Sequence, residues 1–208
     1  MSSARPAPSK KTFELLQEFE VGGGEKYYTA KLSKFTWPGG ASGPTIAIGI
    51  DCAYYTEKEL ADIFQFLAPD QIKLIQGAVD KKGKQGAEYV HTLRQAGIEV
   101  SWADAVNIFN KYTWNKFSTL TEKTFPGILN LHEDAYGAIV SLVFNRGTSL
   151  SGPNRTEMLD IKGLIPKKDY KGIAEKLRSM KRIWRGQGLD GLLTRREAEA
   201  VLVESCIS

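Results

Sequence analysis

Two acidic side chains and one threonine near the amino terminus have the spacing of a hydrolytic site. Glu20 ends an amphipathic segment whose apolar residues recur at helical spacing. Asp51 follows the run from Thr45 to Ile50, which has the composition of a short apolar strand. Two carboxyl groups held across a cleft can cleave a glycosidic bond, one as a general acid and the other as a base or nucleophile.

Each of these side chains has a chemical role and an ordinary alternative. The dipole at a helix C-terminus disfavours negative charge, which favours Glu20 in the protonated form that a general acid requires. Asp51 at a strand end can activate a water, and the Thr45 hydroxyl can hold that water. The alternatives are a solvated glutamate at a helix end, an aspartate that caps a turn, and a threonine that only favours a strand.

The composition excludes several classes of protein. The 208 residues carry a net charge of +4, a mild excess that does not by itself indicate nucleic-acid binding. Cys52 and Cys206 lie far apart, and neither they nor His91 and His132 show the spacing of a zinc site, so we expect no metal and no cofactor. There is no apolar run of transmembrane length and no hydrophobic region of a secretory signal. We therefore expect a protein made in the cytoplasm without a cleaved signal and without stable membrane insertion.

The order of local patterns predicts a mixed fold. Residues 1–11 have the composition of a flexible arm, and 12–208 fit one domain. Turn residues and β-formers, including Tyr27-Tyr28-Thr29, predict a small antiparallel β lobe at about 24–55. Apolar periodicity predicts a helical lobe at about 56–204, with its last helix beginning near Thr194. The fold class is thus α+β, mainly helical, with a cleft.

The most apolar helical segment ends in residues that can bind sugars. His132 to Arg146 is predicted to be the central buried helix. Asn145 and Arg146 at its end can hydrogen-bond sugar hydroxyl or acetamido groups, although Gly147 also indicates simple helix capping. The later segment 162–196 contains eleven basic and three acidic residues, but it has no interleaved aromatic pattern typical of a nucleic-acid platform.

Three separated segments together resemble the phage-type lysozymes, which are the muramidase group of glycoside hydrolase family 24, and the pesticin-like muramidases. The matching segments are Glu20 with the later Thr45-Ile46-Ala47-Ile48-Gly49, then Leu142-Val143-Phe144-Asn145-Arg146-Gly147 with Arg155-Thr156-Glu157-Met158-Leu159, and finally Gly191-Leu192-Leu193-Thr194-Arg195-Arg196-Glu197-Ala198-Glu199. The resemblance implies a lysozyme-like fold that hydrolyses the β-1,4 bond between N-acetylmuramic acid and N-acetylglucosamine. It implies Glu20 as general acid, Thr45 as the water-positioning residue, and Phe144 and Asn145 on a helix end that lines the glycan cleft.

The chain departs from this family at the second carboxylate. The family places an aspartate a few residues before the threonine, whereas residues 26–44 contain no acidic residue. Ile50 and Asp51 also stand where a histidine usually ends the strand. We therefore expect a divergent branch in which Asp51, or alternatively Glu25, is the base.

The resemblance leaves several functions open. The leading prediction is a peptidoglycan muramidase, either a phage endolysin or an antibacterial effector with an immunity partner, acting as a monomer in the periplasm or cell wall. A lytic transglycosylase would need Glu20 alone, and a non-catalytic glycan-binding module would need neither carboxylate. Inverting and retaining hydrolysis also remain open.

Overall fold

The computed structural model describes residues 7–22 and 24–207 and divides the chain into two compact units. The helical unit contains the described residues up to Phe19 together with those from Trp114 onward, and the mixed unit contains Glu20–Thr113. Helices dominate the described residues, and one two-stranded antiparallel sheet accompanies them. These elements confirm the mainly helical α+β class. The predicted lobe boundaries, 24–55 and 56–204, stay predictions.

The helical unit is built around one buried helix. Its elements are the first ten residues of α1 (Lys10–Val21), then α7 (Trp114–Thr124), α8 (Glu133–Arg146), α9 (Thr156–Leu164), α10 (Tyr170–Ser179) and α11 (Asp190–Glu204). Residues 134–143 of α8 are all buried, which confirms the predicted central helix. A helix that is apolar on every side must be surrounded by other elements.

Helix α1 packs directly against α8. A Cβ added at Gly137 would lie 1.8 Å from the Thr12 hydroxyl oxygen, so only glycine permits this approach. The Ser9 hydroxyl donates to the buried Asp134 carboxylate at 2.6 Å, and the Lys11 ammonium lies 3.2 Å from its other oxygen. Helix α1 begins at Lys10, inside the predicted arm, because the Ser9 side chain accepts the backbone N–H of Thr12. Residues 1–6 of that arm lie outside the described residues.

A buried ionic cluster joins α11 to α8. The Glu199 carboxylate accepts hydrogen bonds from the Ser141 hydroxyl at 2.6 Å and from the Arg196 guanidinium at 2.8 Å. Arg195 lies 3.3 Å from the same oxygen and donates to the Ser141 carbonyl at 3.1 Å. All three charged side chains are buried. The paired arginines that contribute to the family resemblance therefore hold the core of this unit together.

The start of α11 was predicted one turn too late. Thr194 lies within the helix, where its hydroxyl donates to the Asp190 carbonyl at 3.1 Å. Its spacing to Glu197 resembles a capping box, but the chain is already helical four residues earlier.

The mixed unit contains five helices and a short hairpin among its described residues. They are α2 (Gly24–Lys31), β1 (Thr45–Ile46), β2 (Ile50–Asp51), α3 (Glu57–Ile63), α4 (Pro69–Gln76), α5 (Gly83–Gln95) and α6 (Trp102–Ile108). A 3₁₀ turn follows β2, and a π-helical turn follows α6. Among the described residues of both units, none of the helices is long and apolar enough to cross a membrane.

The prediction of extended structure at Tyr27-Tyr28-Thr29 was wrong. These residues lie in α2, where Tyr28 is fully buried and its hydroxyl donates to the Val100 carbonyl at 2.9 Å. The Tyr28 ring also packs on Trp102 with 5.3 Å between centroids. Tertiary packing of one tyrosine outweighs the weak β propensity of the segment.

The prediction of one strand from Thr45 to Ile50 was also wrong. The chain reverses at residues 47–49, where Ala47 and Gly49 have positive φ angles of 55° and 78°. Residues 45–46 and 50–51 then pair as an antiparallel hairpin. Asp51 is therefore returned to the side of Thr45 instead of being carried away from it.

Candidate active site

Thr45 and Asp51 face each other across the hairpin as paired residues. The Gly43 nitrogen lies 3.0 Å from Asp51 Oδ1 and 3.1 Å from Oδ2, and the Ala53 N–H donates to Oδ1 at 3.2 Å. The Thr45 hydroxyl donates to the Gly43 carbonyl at 3.1 Å. The structure thus brings together the two residues to which the sequence assigned the base and the water-binding hydroxyl.

Asp51 caps a turn, as its ordinary alternative predicted, and the cap is compatible with catalysis. Its side chain accepts the Ala53 N–H at the start of the 3₁₀ turn Cys52–Tyr54. A carboxylate has about four acceptor sites, and these contacts place two donors on Oδ1 and one on Oδ2. Oδ2 of this half-buried side chain therefore keeps acceptor capacity for a water. Backbone donors also fix the direction in which that oxygen points.

Glu20 and Glu25 lie on opposite sides of a glycine turn. Glu20 is the penultimate residue of α1 and is half-buried, whereas Glu25 is exposed in the first turn of α2. Gly22 and Gly24 have positive φ angles of 59° and 64°, which lets the chain leave one helix and enter the next. Gly23 lies outside the described residues. Glu20 belongs to the same unit as Thr45 and Asp51, and its role as the acid stays a prediction.

The helical unit carries an open pocket of about 520 Å³ at the end of α8. The residues that line it are Asn145, Arg146, Ser151, Gly152, Pro153, Asn154, Arg155, Ile183, Trp184 and Leu192. Two of the three predicted sugar-binding residues, Asn145 and Arg146, are therefore at one pocket. The third, Phe144, packs its ring on Phe117 with 4.4 Å between centroids and is not part of the lining.

Arg146 is held against an aromatic wall. Its guanidinium carbon lies 4.6 Å from the centroid of the Trp184 ring, and its Nη2 donates to the Asn154 carbonyl. Its buried Nε has no hydrogen-bond partner within the described part of the chain. Burial, followed by the positive charges of Arg155 and Arg196, lowers the pKa of Arg146 to about 10. Arg146 therefore places a positive charge at this pocket.

Arg182 holds the loop that forms one side of the pocket. Arg182 donates to the Pro153 carbonyl at 2.8 Å and forms an ion pair with the buried Glu157. Gly147 has a φ angle of 71° and donates its N–H to the Val143 carbonyl at 2.7 Å, which ends α8. Helix capping and a pocket-lining helix end thus occur together here.

Arg155 and Trp184 line the pocket but were not predicted as site residues. Arg155 lies just before α9, and Trp184 follows the 3₁₀ turn Met180–Ile183, so neither shares a helix with Asn145. In the sequence, the position of Trp184 between Arg182 and Arg185 in the basic segment is the signal that could have indicated a binding residue.

One group of residues in the helical unit could offer metal ligands. The ligand atoms of His132, Asp134 and Cys206 lie within 4.8 Å of one another, although the sequence spacing gave no sign of it. The Asp134 carboxylate already binds Ser9 and Lys11. Although burial raises the pKa of Asp134, the Ser9 hydrogen bond and the charge of Lys11 outweigh it and leave this pKa below its usual value.

Comparison with known proteins finds a family whose model covers the residues of the helical pocket. The model of the phage lysozyme family matches residues 76–199, which is more than half of the chain. The match contains Asn145, Arg146 and Trp184 and begins after Thr45 and Asp51. No curated protein matches the chain. With its mainly helical fold and small antiparallel sheet, the chain belongs to the phage lysozyme family of glycoside hydrolases.

Proposed function

We propose that the protein is a muramidase that hydrolyses the β-1,4 bond between N-acetylmuramic acid and N-acetylglucosamine in peptidoglycan. Membership of the phage lysozyme family supports a peptidoglycan hydrolase activity. The paired Thr45 and Asp51, with backbone donors on the carboxylate, support the assignment of the reacting groups. The finer assignment of bond and residues rests on these two observations together.

In the proposed reaction Glu20 gives its proton to the oxygen that leaves the anomeric carbon. A water held by Thr45 transfers a proton to Asp51 as its oxygen forms the new bond to that carbon. The glycosidic C–O bond breaks, and the fragments leave with a free reducing end and a hydroxyl. Proton exchange with solvent then restores both carboxyl groups.

The pocket in the helical unit is the proposed glycan-binding region. Asn145 offers an amide and Arg146 a guanidinium, and the two could bind acetamido or hydroxyl oxygens of the chain. Trp184 supplies the flat apolar wall on which Arg146 is stacked. Binding energy from such a region orients the substrate without itself entering the reaction.

Loss of the Asn145 amide is expected to weaken binding and leave the chemical step unchanged. For Asn145→Leu we expect KM for soluble glycan strands to rise roughly 2- to 10-fold, because one hydrogen bond contributes about 0.5–1.5 kcal/mol. The matched control is Asn130→Leu, an exposed asparagine of the same unit that does not line the pocket. Equal KM values for the two variants would contradict the assignment.

Mass analysis of released muropeptides tests the proposed reaction itself. Wild-type protein is expected to release fragments with reducing N-acetylmuramic acid ends, and Glu20→Gln is expected to release almost none. Products with 1,6-anhydro ends would replace hydrolysis with lytic transglycosylation. Equal, negligible release by both proteins would favour the glycan-binding module.

The biological setting belongs to the same proposal. We infer an endolysin or an antibacterial effector that acts in the periplasm or cell wall as a monomer. An effector would require an immunity protein in the producing cell, and co-purification from that cell would distinguish it from an endolysin.

A further inference from the structure

The loop from Trp37 to Gly43 supplies a backbone donor to the Asp51 carboxylate. The Gly43 N–H reaches both oxygens of that carboxylate, at 3.0 and 3.1 Å from its nitrogen. Gly43 itself is buried. A displacement of this one backbone group would turn the carboxylate, because the other donor, from Ala53, reaches Oδ1 alone.

Two exposed aromatic side chains hold the loop just before Gly43. The Trp37 indole N–H donates to the Ser42 carbonyl, and the Tyr54 hydroxyl donates to the Ala41 carbonyl, both at 2.9 Å. Trp37 is 40% exposed and Tyr54 is 51% exposed, so core packing does not explain them. Each side chain instead directs its polar atom to a loop carbonyl.

The start of helix α5 also contacts the loop. The Gly83 N–H donates to the Ser42 carbonyl at 3.0 Å, and the Lys82 ammonium lies 4.2 Å from the centre of the Tyr54 ring. A Cβ added at Gly86 would lie 2.9 Å from the Gly43 Cα, so the two backbones touch. The loop is therefore held by contacts with both α5 and the two aromatic side chains.

The backbone at Gly43 leaves no room for a side chain. A Cβ at this position would lie 2.3 Å from the Ala53 Cβ and 2.9 Å from Asp51 Oδ1. Glycine is needed here because the loop backbone must lie directly on the carboxylate.

We propose that Tyr54 and Trp37 are positioning residues for the base. Through the Ala41 and Ser42 carbonyls they hold the Gly43 N–H in place, and that N–H aims the Asp51 carboxylate at the attacking water. This inference rests on the proposed function, because it assigns a task to the Asp51 carboxylate. Misplacement of a catalytic group by a fraction of an ångström lowers the rate without loss of the fold.

The test is Tyr54→Phe, which keeps the ring and its contact with Lys82 and removes only the hydroxyl. We expect kcat to fall roughly 2- to 10-fold, in line with the loss of one hydrogen bond, while KM stays unchanged. Amide hydrogen exchange at Gly43, followed by NMR, should become faster because the loop is less restrained. The matched control is Tyr27→Phe, another exposed tyrosine of the same unit, which should change neither quantity.

The two readouts separate the possible failures. Unchanged kcat and unchanged Gly43 exchange in Tyr54→Phe would overturn the inference, and a rise in KM alone would make Tyr54 a substrate contact instead. If Gly43 exchange is faster in Tyr54→Phe but wild-type protein releases no muropeptides, the loop holds Gly43 as inferred and the proposed function is what fails.

Discussion

Asp51→Asn is expected to lower kcat by about 10²–10⁴-fold, because an amide cannot take the proton of the attacking water. The variant should fold normally. An asparagine Oδ1 can still accept the Gly43 and Ala53 N–H groups, so the cap of the 3₁₀ turn is kept. Turnover of purified peptidoglycan gives kcat, and urea unfolding verifies that stability is unchanged. A loss of the same order is expected for Glu20→Gln, where the proton donor is removed.

Glu25→Gln is the control that decides the second carboxylate. Glu25 is exposed in the first turn of α2, and we expect full activity from this variant. If Asp51→Asn stays active and Glu25→Gln does not, the base is Glu25. If only Glu20→Gln is inactive, a single acid suffices, and the reaction is the one that forms 1,6-anhydro products.

Glu199→Gln is expected to lower the free energy of unfolding by about 3–5 kcal/mol. The glutamine has the same shape, but it removes the negative charge that Arg195 and Arg196 contact in this buried cluster. Burial already lowers the pKa of Arg196, because its charged form is poorly solvated there. The stability change is measured by urea unfolding, with the same urea dependence expected for both proteins.

Glu197→Gln is the matched control on the same helix. Glu197 pairs with Arg178 and Lys181 but is 42% exposed, so its loss should cost about 0–1 kcal/mol. Equal losses for the two variants would show that the buried cluster contributes no more than a surface pair. An Arg196→Met and Glu199→Leu double variant should regain part of the stability, because paired charges can be replaced by apolar packing.

The sequence predicted the elements whose signals are local. The apolar surface of α8 is continuous on all sides, and burial follows from that alone. The capping box of Thr56 and Glu59 occurs as its spacing predicts, at the start of α3. These features depend on residues within one or two turns of each other.

The wrong predictions depended on distant contacts or on an unusual local backbone conformation. Tyr28 is helical because its hydroxyl reaches Val100, which lies 72 residues away in the sequence. The reversal at 47–49 requires positive φ angles at Ala47 and Gly49, and alanine gives no sign of this. The site shows the same limit. Asp51 could be named from its position in the sequence, but its contact with the Gly43 N–H could be found only once the hairpin was known.

The contact of α1 with α8 also affects how the chain folds during its synthesis. Residues 20–113 are contiguous, so the mixed unit has all its parts soon after they leave the ribosome. Ser9 and Asp134 are separated by 125 residues, and at synthesis rates of about 5–20 residues per second α1 waits roughly 6–25 s for its binding surface. The helical unit is therefore completed late, because its first helix packs on a partner made 125 residues later, and its folding is slowed by this long-range closure.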